Sequence, residues 1–463
     1  MTYKNKFSPA KLGTVSPQMS GVHYAIPVMG AFAAILLGLG IGQGHWIFAV
    51  GALCVPILLF YPVQVAMGFF AVLIPFDSIA VLGEAQKGRT LTWFAGAGAI
   101  AVLFGAGLAY RRLKIPPVAS LWWVLFAFWC AMTSVWALSP ETSVHELPSS
   151  LAILALYLAS SCFRYTKSEL QAVTYLAIFG GCCAAVWTAY MFRQGNFYEA
   201  GQETRASLIV AGRHANPDGL AMTFLLPISL AFGYFLSHRR GLVRVCMLAA
   251  MAICTLGLFL TMSRGAVVAL AAVVLLYVYR LRLGSRLVVP IILLAILLAF
   301  MPAAFFVRFQ QAGSSGGSGR LDIWTVGLTA FRHYGFVGAG FFNFPFAYTN
   351  YAGEAHHYEG NYRDSHNIYL AMGVELGIVG LTLFALAMRS QFRAFAKSRN
   401  YVEGNHLRLA TQAAAVGVLV FGLFGNILWT KGFWFTLMIL TAAGALEYAP
   451  DPDPAAASAM KRS

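Results

Sequence analysis

The chain has 463 residues, of which 59% are hydrophobic and only 11% are charged, and its mean hydropathy is +0.69. A water-soluble protein of this size cannot cover its surface with so few charged side chains, which excludes a soluble nucleic-acid-binding protein despite the net charge of +15. Apolar runs of about twenty residues recur along the chain and predict an all-α fold, a polytopic transmembrane helical bundle.

Twelve to fourteen apolar segments are predicted to span the membrane, the lower count applying if the second and third form a re-entrant hairpin at Pro62. The segments are residues 22–41, 46–61, 62–75, 91–110, 118–138, 149–163, 169–192, 217–236, 242–262, 265–282, 286–306, 366–388, 409–428 and 432–447. The predicted organisation is a cytoplasmic N-terminal tail (1–21), transmembrane helices 1–11 (22–306), a periplasmic loop containing short helices (307–365), the C-terminal transmembrane helices (366–448) and a cytoplasmic tail (449–463).

The distribution of basic residues predicts the orientation. Lys and Arg lie in every alternate loop and in both termini, and the positive-inside rule makes that side cytoplasmic. The opposite side has the longer loops and isolated arginines that the rule does not favour there: Arg193, Arg205, Arg213, Arg264, Arg308, Arg320, Arg332 and Arg363. These arginines either keep the loops soluble, pairing with acidic neighbours, or bind an anionic substrate.

Neither a metal site nor a cofactor is predicted. The seven cysteines fall in or at the ends of apolar segments, which indicates neither a disulfide nor a zinc site. One group in the long loop resembles metal ligands at first sight: Glu354, His356, His357 and Glu359. Its spacing fits no standard helical zinc pattern. The chain also has no phosphate-binding glycine loop, so we expect an activated substrate, rather than ATP, to supply the energy for any reaction.

Arg264 stands between two apolar runs with almost no loop, so its guanidinium is predicted at the outer boundary of the membrane. One interpretation is an arginine that snorkels at a helix end. The other is a ligand for a diphosphate, because the rigid fork of guanidinium donors matches phosphate oxygens. Gly265 would leave room for close approach.

Arg320 follows a glycine-rich hinge at 312–319 and begins a predicted amphipathic helix, with Ser318 as its N-cap. The predicted apolar face of that helix is Ile323, Trp324, Leu328 and Phe331. A helix N-terminus favours an anion, and the flexible hinge would let Arg320 reach a lipid headgroup. The alternative is a salt bridge to Asp322 or Asp364.

Arg213 is a weaker candidate for the same anion. It lies on the predicted periplasmic side, just before the span that begins at Pro217. The sequence Asn216-Pro217-Asp218 is typical of a turn followed by a helix start, and this alone accounts for much of the segment.

His366 lies where the twelfth predicted span begins, followed by Asn367. Histidine acts as a general base near neutral pH, and Asp364 would orient its ring or raise its pKa. The alternative role is a helix cap or hydrogen-bond filler, with Ser365 or Asp364 capping the helix. Glu375 lies deeper in the same apolar run, where a carboxylate needs a partner, and we expect it to bond to another helix.

In combination these motifs resemble the O-antigen ligase and polymerase superfamily of bacterial envelope enzymes. The matching pieces, in chain order, are Ser263-Arg264-Gly265, Gly319-Arg320 with Ile323-Trp324, Gly338-Ala339-Gly340 with Phe342-Asn343, and His366-Asn367 with Leu370, Glu375, Gly377 and Gly380. The long loop before the histidine also fits. The resemblance covers about residues 205–390, and each motif is specific only as part of the ordered set.

The resemblance implies an inverting, metal-independent glycosyltransferase of the bacterial inner membrane, with its active site facing the periplasm. The donor would be a glycan on a polyprenyl (undecaprenyl) diphosphate, and the acceptor lipid A-core or a growing surface or exopolysaccharide chain. Arg264 and Arg320 would match the diphosphate-binding arginines of the family, and His366 its activating histidine. Asp364, Asn367 and Glu375 would support the site.

This prediction leaves the acceptor open. A ligase and a polymerase differ only in the acceptor, which the residues do not distinguish, and transfer to protein hydroxyls is a further family role. Two functions of other classes compete with glycan transfer. A secondary transporter or flippase for an anionic lipid-linked sugar would use the same arginines, but it would typically show internal repeats and charges at the midplane. A purely structural membrane scaffold would leave the outer arginines unexplained.

Overall fold

The structure is a computed structural model that describes residues 60–79, 81–82, 89–200, 203–210, 213–238, 240–281, 319–355, 357, 360–396 and 406–446. The chain divides into two compact units, Met1–Pro62 and Val63–Ser463. The description below concerns the second unit. Several predicted features lie outside the described residues. They are the spans at 22–41 and 286–306, the span at 46–61 except for its last two residues, both cytoplasmic tails and most of the glycine-rich hinge.

Over the described residues the helices are α1 (Pro62–Leu73), α2 (Leu91–Ala109), α3 (Val118–Thr133), α4 (Pro140–Cys162), α5 (Lys167–Arg193), α6 (Pro217–Ser237), α7 (Gly241–Leu260), α8 (Arg264–Leu281), α9 (Arg320–Tyr334), α10 (Phe344–Tyr351), α11 (Ile368–Ala396), α12 (His406–Phe421) and α13 (Lys431–Ala445). Short 3₁₀ turns follow α1 at Ile74–Phe76 and α10 at Ala352–Glu354. Three antiparallel two-stranded hairpins complete the set: β1 (Val81–Leu82) with β2 (Arg89–Thr90), β3 (Tyr198–Ala200) with β4 (Glu203–Arg205), and β5 (Ile209–Val210) with β6 (Arg213–His214).

The predicted fold class is confirmed. Six of these helices, α2, α5, α6, α7, α8 and α11, are long and apolar enough to cross a membrane, and four shorter apolar helices accompany them within the described residues. The short helices expected in the long loop are α9 and α10. Helix α9 buries Ile323, as its periodicity predicts, but Leu328 is exposed because the buried face turns instead onto Val326 and Ala330.

Two predicted loops contain regular structure. Residues 140–148, expected as a loop before the sixth span, form the first turns of α4. They are held there by the 341–343 segment, since the Ser143 hydroxyl donates to the carbonyl of Phe341 (2.6 Å) and Asn343 accepts from the backbone of Ser139 (2.5 Å). The loop at 193–216 contains the β3–β4 and β5–β6 hairpins. Both differences depend on contacts that apolar periodicity does not encode.

Helix α6 is the most buried of the long helices. It packs against α7 and α12. Gly233 lets the backbones of α6 and α12 approach so closely that an added Cβ would lie 2.8 Å from the Cβ of Ala410. Such small residues at helix contacts are typical of membrane bundles, where close van der Waals packing replaces the hydrophobic effect. The burial of α6 therefore holds its N-terminal residues in a defined position.

Helix α11 is broken at Gly377, whose backbone has φ +66° and ψ −167°. The segment 335–340 inserts at the break: Ala339 and Gly340 donate to the carbonyls of Val374 (2.8 Å) and Glu375 (3.0 Å). The indole of Trp129 donates to the carbonyl of Leu376 (2.8 Å). These hydrogen bonds replace those that the helix loses at Gly377, so the break is stabilised by the surrounding structure.

Candidate functional site

The N-terminus of α6 places Asp218 at one end of the bundle. Asn216 caps the helix, its side-chain oxygen accepting from the backbone of Asp218 (2.9 Å) and Gly219 (3.3 Å). This is the capped helix start that the sequence predicts. The Asp218 carboxylate, which the sequence analysis does not identify as a site residue, becomes the centre of a charged cluster.

Arg205 is the most buried member of that cluster, with its side chain only 7% exposed. It donates to both oxygens of Asp218, at 2.7 and 3.3 Å, and its Nε donates to the carbonyl of Thr261 (2.9 Å). Thr261 is the C-cap of α7, where a positive charge is stabilised by the helix dipole. Arg205 therefore joins the end of α7 to the beginning of α6.

Arg320 completes the cluster from the long loop. It is the first residue of α9, preceded by Gly319 in the left-handed region (φ +75°), and its guanidinium donates to Asp218 at 3.3 Å. The predicted N-cap, Ser318, lies outside the described residues. One carboxylate thus faces two guanidinium groups, and we call Arg205, Asp218 and Arg320 the Arg–Asp–Arg cluster. It carries a net positive charge and is partly open, since Arg320 is 22% and Asp218 21% exposed.

Arg264 begins α8 just after the short connection from α7. That connection includes Met262 in the left-handed region (φ +53°) and Thr261, the carbonyl that Arg205 binds. Gly265 packs against Phe424, where an added Cβ would lie 2.5 Å from the Phe424 Cβ. Arg264 therefore stands at the same end of the bundle as the cluster, between α7 and the turn that follows α12.

The backbone around His366 is held on both sides. His366 itself has φ +47°, a conformation that side-chain-bearing residues rarely adopt. Before it, the carbonyl of Ser365 accepts from the Trp324 indole (2.9 Å). After it, Ile368 donates to the carbonyl of Gly422 (2.8 Å). Strain of this kind persists only where its surroundings over-determine it, and it is concentrated at functional sites.

The half-buried His366 ring lies just outside the membrane-spanning part of α11. Burial lowers the pKa of His366 below its ordinary value of 6.5, and the nearby charge of Arg320 acts in the same direction. Asp364 and Asp218 act in the opposite direction but do not outweigh burial. Asp364 therefore raises this pKa, as the sequence predicts, although burial outweighs its contribution. The ring is neutral at pH 7 and able to accept a proton.

The residues that flank His366 are positioned by side-chain hydrogen bonds. Asp364 accepts from the Asn426 side chain (3.0 Å), which lies in the turn between α12 and α13. Asn367, rather than Ser365 or Asp364, caps α11, because its side-chain oxygen accepts from the backbone of Tyr369 (2.9 Å) and Leu370 (3.1 Å). The predicted cap is thus corrected by two to three positions.

Glu375 has the structural partner that the sequence analysis expects. Its buried carboxylate accepts from the backbone of Phe344 at 3.1 Å, at the first residue of α10. Together with the backbone bonds at the Gly377 break, this contact fixes α10 and the 335–344 segment to α11. Glu375 therefore holds these two segments together.

The remaining candidates are not among the contacts of the cluster. Arg213 is in β6, where its backbone pairs with Val210 of β5. His357 is 85% exposed and contacts Asp322 at 3.3 Å, whereas His356 and Glu359 lie outside the described residues.

The structure thus brings together Arg320, His366 and Asp364, with Arg264 at the same end of the bundle, and it adds two residues that sequence reasoning missed. These are Asp218 and Arg205, the latter named in the sequence analysis only as one of eight outer arginines. Asp218 carried a signal, since a carboxylate in the first turn of a helix beside outer arginines has an obvious partner. An excess of guanidinium charge beside a neutral imidazole can bind a phosphate-bearing group and accept a proton next to it.

Comparison with known protein families matches residues 249–385 to the family described as O-antigen ligase. The matched residues include Arg264, Arg320 and His366, whereas Arg205 and Asp218 precede them. No curated protein and no solved structure matches the chain.

Proposed function

We propose that this chain transfers a glycan from a polyprenyl diphosphate to a hydroxyl group, because residues 249–385 match the family described as O-antigen ligase. The superfamily indicates membrane glycosyl transfer of the ligase or polymerase type. The observation that carries the finer proposal is the Arg–Asp–Arg cluster beside His366, whose half-buried ring has a pKa below its ordinary value.

The cluster would hold the diphosphate of the donor. Two guanidinium groups share one carboxylate in the Arg–Asp–Arg cluster, so positive charge remains to balance an anion. Arg320 is 22% exposed, so phosphate oxygens can approach its guanidinium, whereas the buried Arg205 keeps Asp218 in place. Arg264 would contact the same diphosphate from the beginning of α8. Preorganised cations of this kind stabilise the charge that develops on a leaving group.

His366 would act as the general base. As the acceptor hydroxyl oxygen attacks the anomeric carbon, its proton passes to a ring nitrogen of His366. The new glycosidic bond forms, the bond between the anomeric carbon and the phosphate oxygen breaks, and that oxygen leaves with the electron pair on the diphosphate. Attack from the face opposite the leaving group would invert the anomeric centre. Positioned acid–base groups of this type accelerate proton transfer about 10²–10⁴-fold.

The position of the charges favours an enzyme over a transporter. Arg264, Arg320 and Asp218 all lie in the first turn of a helix, and His366 immediately precedes α11. A transporter for an anionic lipid would typically place such groups near the middle of the bilayer. The inner-membrane location and the periplasmic orientation of this end are part of the proposal and follow from the positive-inside pattern.

The test is complementation of a deletion strain of the source bacterium with the wild-type chain, His366→Ala or Arg320→Gln. Each has a matched control on an exposed side chain: His145→Ala, and Arg332→Gln on the same helix as Arg320. We expect His366→Ala and Arg320→Gln to abolish long glycan while both controls retain it. Normal glycan with both site variants would refute the proposal.

Gels of lipopolysaccharide and of secreted polysaccharide from the same strains distinguish the two acceptors. If the chain is a ligase, its loss should cause lipid-linked polymer to accumulate and should leave lipopolysaccharide without long glycan. If it is a polymerase, its loss should leave lipopolysaccharide with a single repeat, or should remove only the secreted polymer.

A further inference from the structure

A cavity of about 200 Å³ lies beside the N-terminus of α6, and its lining residues do not include those of the Arg–Asp–Arg cluster or His366. It is formed by the 3₁₀ turn at 74–76 with the residues after it, the first turns of α6 and the beginning of α13. Its polar lining residues are Asp77, Ser78, Asn216, Thr223, Thr430 and Lys431. One water needs only about 10–15 Å³, so the cavity has room for a larger group. Mostly apolar walls with a few placed polar groups are typical of a small-molecule site.

The centre of the polar lining is an ion pair between distant parts of the chain. Lys431, the first residue of α13, donates to Asp77 (2.5 Å) and to the Thr90 hydroxyl (2.9 Å). The Thr92 hydroxyl donates to the same carboxylate oxygen of Asp77. The side chains of Lys431 and Asp77 are 19% and 30% exposed, so they are shielded from bulk water but accessible to a ligand.

Lys431 and Asp77 each have hydrogen-bonding capacity that no other described residue uses. An ammonium has three donors, and Lys431 uses two of them within the described part of the chain. Within the same described residues, Thr92 and Lys431 both donate to the Oδ1 of Asp77, and its Oδ2 accepts no hydrogen bond. The pair is electrically neutral overall, and an isolated lysine would suit an anion better. A neutral group with both hydroxyl donors and hydroxyl acceptors fits this arrangement.

The cavity adjoins the candidate active site along two elements. The first turn of α6 lies between them, since Asp218 binds the two arginines while Asn216 and Gly219 line the cavity. The segment 422–431 also connects them. Its first residue binds the backbone after His366, Asn426 binds Asp364, and Lys431 lines the cavity. A group bound in the cavity would therefore be in contact with the same two elements that hold Asp218 and Asp364 in place.

We infer that this cavity binds one hydroxyl-rich sugar unit, with Asp77 and Lys431 bonding its hydroxyls and the apolar walls contacting its C–H faces. The inference rests on the proposed function, because the sugar belongs either to the acceptor or to the glycan of the donor. Asp77 and Lys431 would act as specificity residues for that sugar and would take no part in the proton transfer.

Gly219 is a position at which a substitution can place a side chain in the cavity. An added Cβ at Gly219 meets no atom within 4 Å, and the residue lines the cavity. Gly219→Leu would therefore occupy the space intended for the sugar. Gly241→Leu is the matched control, because Gly241 is also near the start of a helix, also has open space around an added Cβ and does not line the cavity.

The experiment uses the full-length chain in lipid nanodiscs. Binding of the repeat-unit oligosaccharide, released from its lipid by mild acid, is measured by calorimetry for the wild type, Gly219→Leu, Gly241→Leu and the double variant Asp77→Asn/Lys431→Gln. We expect Gly219→Leu and the double variant to weaken binding at least ten-fold, and Gly241→Leu to change it less than two-fold. Polyprenyl diphosphate without glycan should bind equally to all four.

Equal oligosaccharide affinity for the wild type and Gly219→Leu would overturn the inference. So would a ten-fold loss of polyprenyl diphosphate binding, which would mean that the cavity holds lipid or phosphate. In transfer assays of Gly219→Leu, a raised KM for the acceptor or for the donor identifies which of the two supplies the sugar, and either result supports the inference. Because these binding measurements do not require catalysis, failure of the proposed function appears separately, as full transfer by His366→Ala.

Discussion

Replacing Asp218 with asparagine tests whether one carboxylate holds the two arginines in place. The substitution preserves the size of the side chain and leaves the Asn216 cap intact, but it removes the charge that both guanidinium groups face. The cost depends on how well water can reach each arginine once the carboxylate is gone.

The two arginines differ in this respect. Arg205 is 7% exposed, and removing one partner of a buried ion pair typically costs about 3–5 kcal/mol because the other charge is left uncompensated. Arg320 is 22% exposed, so water partly replaces the lost carboxylate and its share is below about 1 kcal/mol. We therefore expect Asp218→Asn to destabilise the protein mainly through Arg205, and to reduce glycan transfer by releasing Arg320.

The control is Asp322→Asn, which breaks an ion pair to the 85% exposed His357 and should cost less than about 1 kcal/mol. Thermal unfolding in detergent, followed by tryptophan fluorescence, should show a fall in Tm on the order of 5–10 °C for Asp218→Asn and under about 2 °C for the control. Adding Arg205→Met should recover part of the loss, since no buried charge then remains. Equal Tm values for the two aspartate variants would refute the reasoning.

Three further predictions concern the base, the metal and the helix break. Since burial lowers the pKa of His366, activity should be full at pH 7 and be lost as the pH falls through that lowered pKa. Asp364→Asn removes a charge that raises the pKa of His366, so the acidic limb of the pH–rate profile should move to lower pH. A shift of that limb to higher pH would contradict the assignment of His366 as the base. Metal independence stays a prediction, checked by EDTA: transfer should be unchanged, and inhibition reversed by a divalent ion would disprove it. Gly377→Ala should lower the free energy of unfolding by at least about 1–2 kcal/mol, because the left-handed backbone there disfavours a side chain and a Cβ would lie 2.4 Å from the carbonyl oxygen of Phe336. The control Gly98→Ala places its Cβ in open space and should be neutral or stabilising. Equal Tm values for the two variants would contradict this prediction.

The sequence by itself determines the class of fold and several features of the site. Hydropathy predicts the membrane helices because a bilayer requires long apolar segments, whichever neighbours they pack against. Local chemistry predicts the start of α6 at Pro217, and it places Arg264, Arg320 and His366 at or next to helix starts. These features depend on residues a few positions apart, so the pattern of the chain contains them. The predicted cap of α11 missed by two to three positions, because Asp364, Ser365 and Asn367 are all suitable cap residues.

Only the tertiary structure decides which charged groups meet. Asp218 pairs with Arg205, 13 positions away, and with Arg320, 102 positions away, because the burial of α6 brings its N-terminus to the end of α7 and to the long loop. Asp77 and Lys431 are 354 positions apart and meet for the same kind of reason. The sequence shows that these groups need partners, since charges near a membrane are costly to leave alone. Choosing the partner depends on which helix ends pack together, and that is settled by the shapes of many buried side chains acting at once.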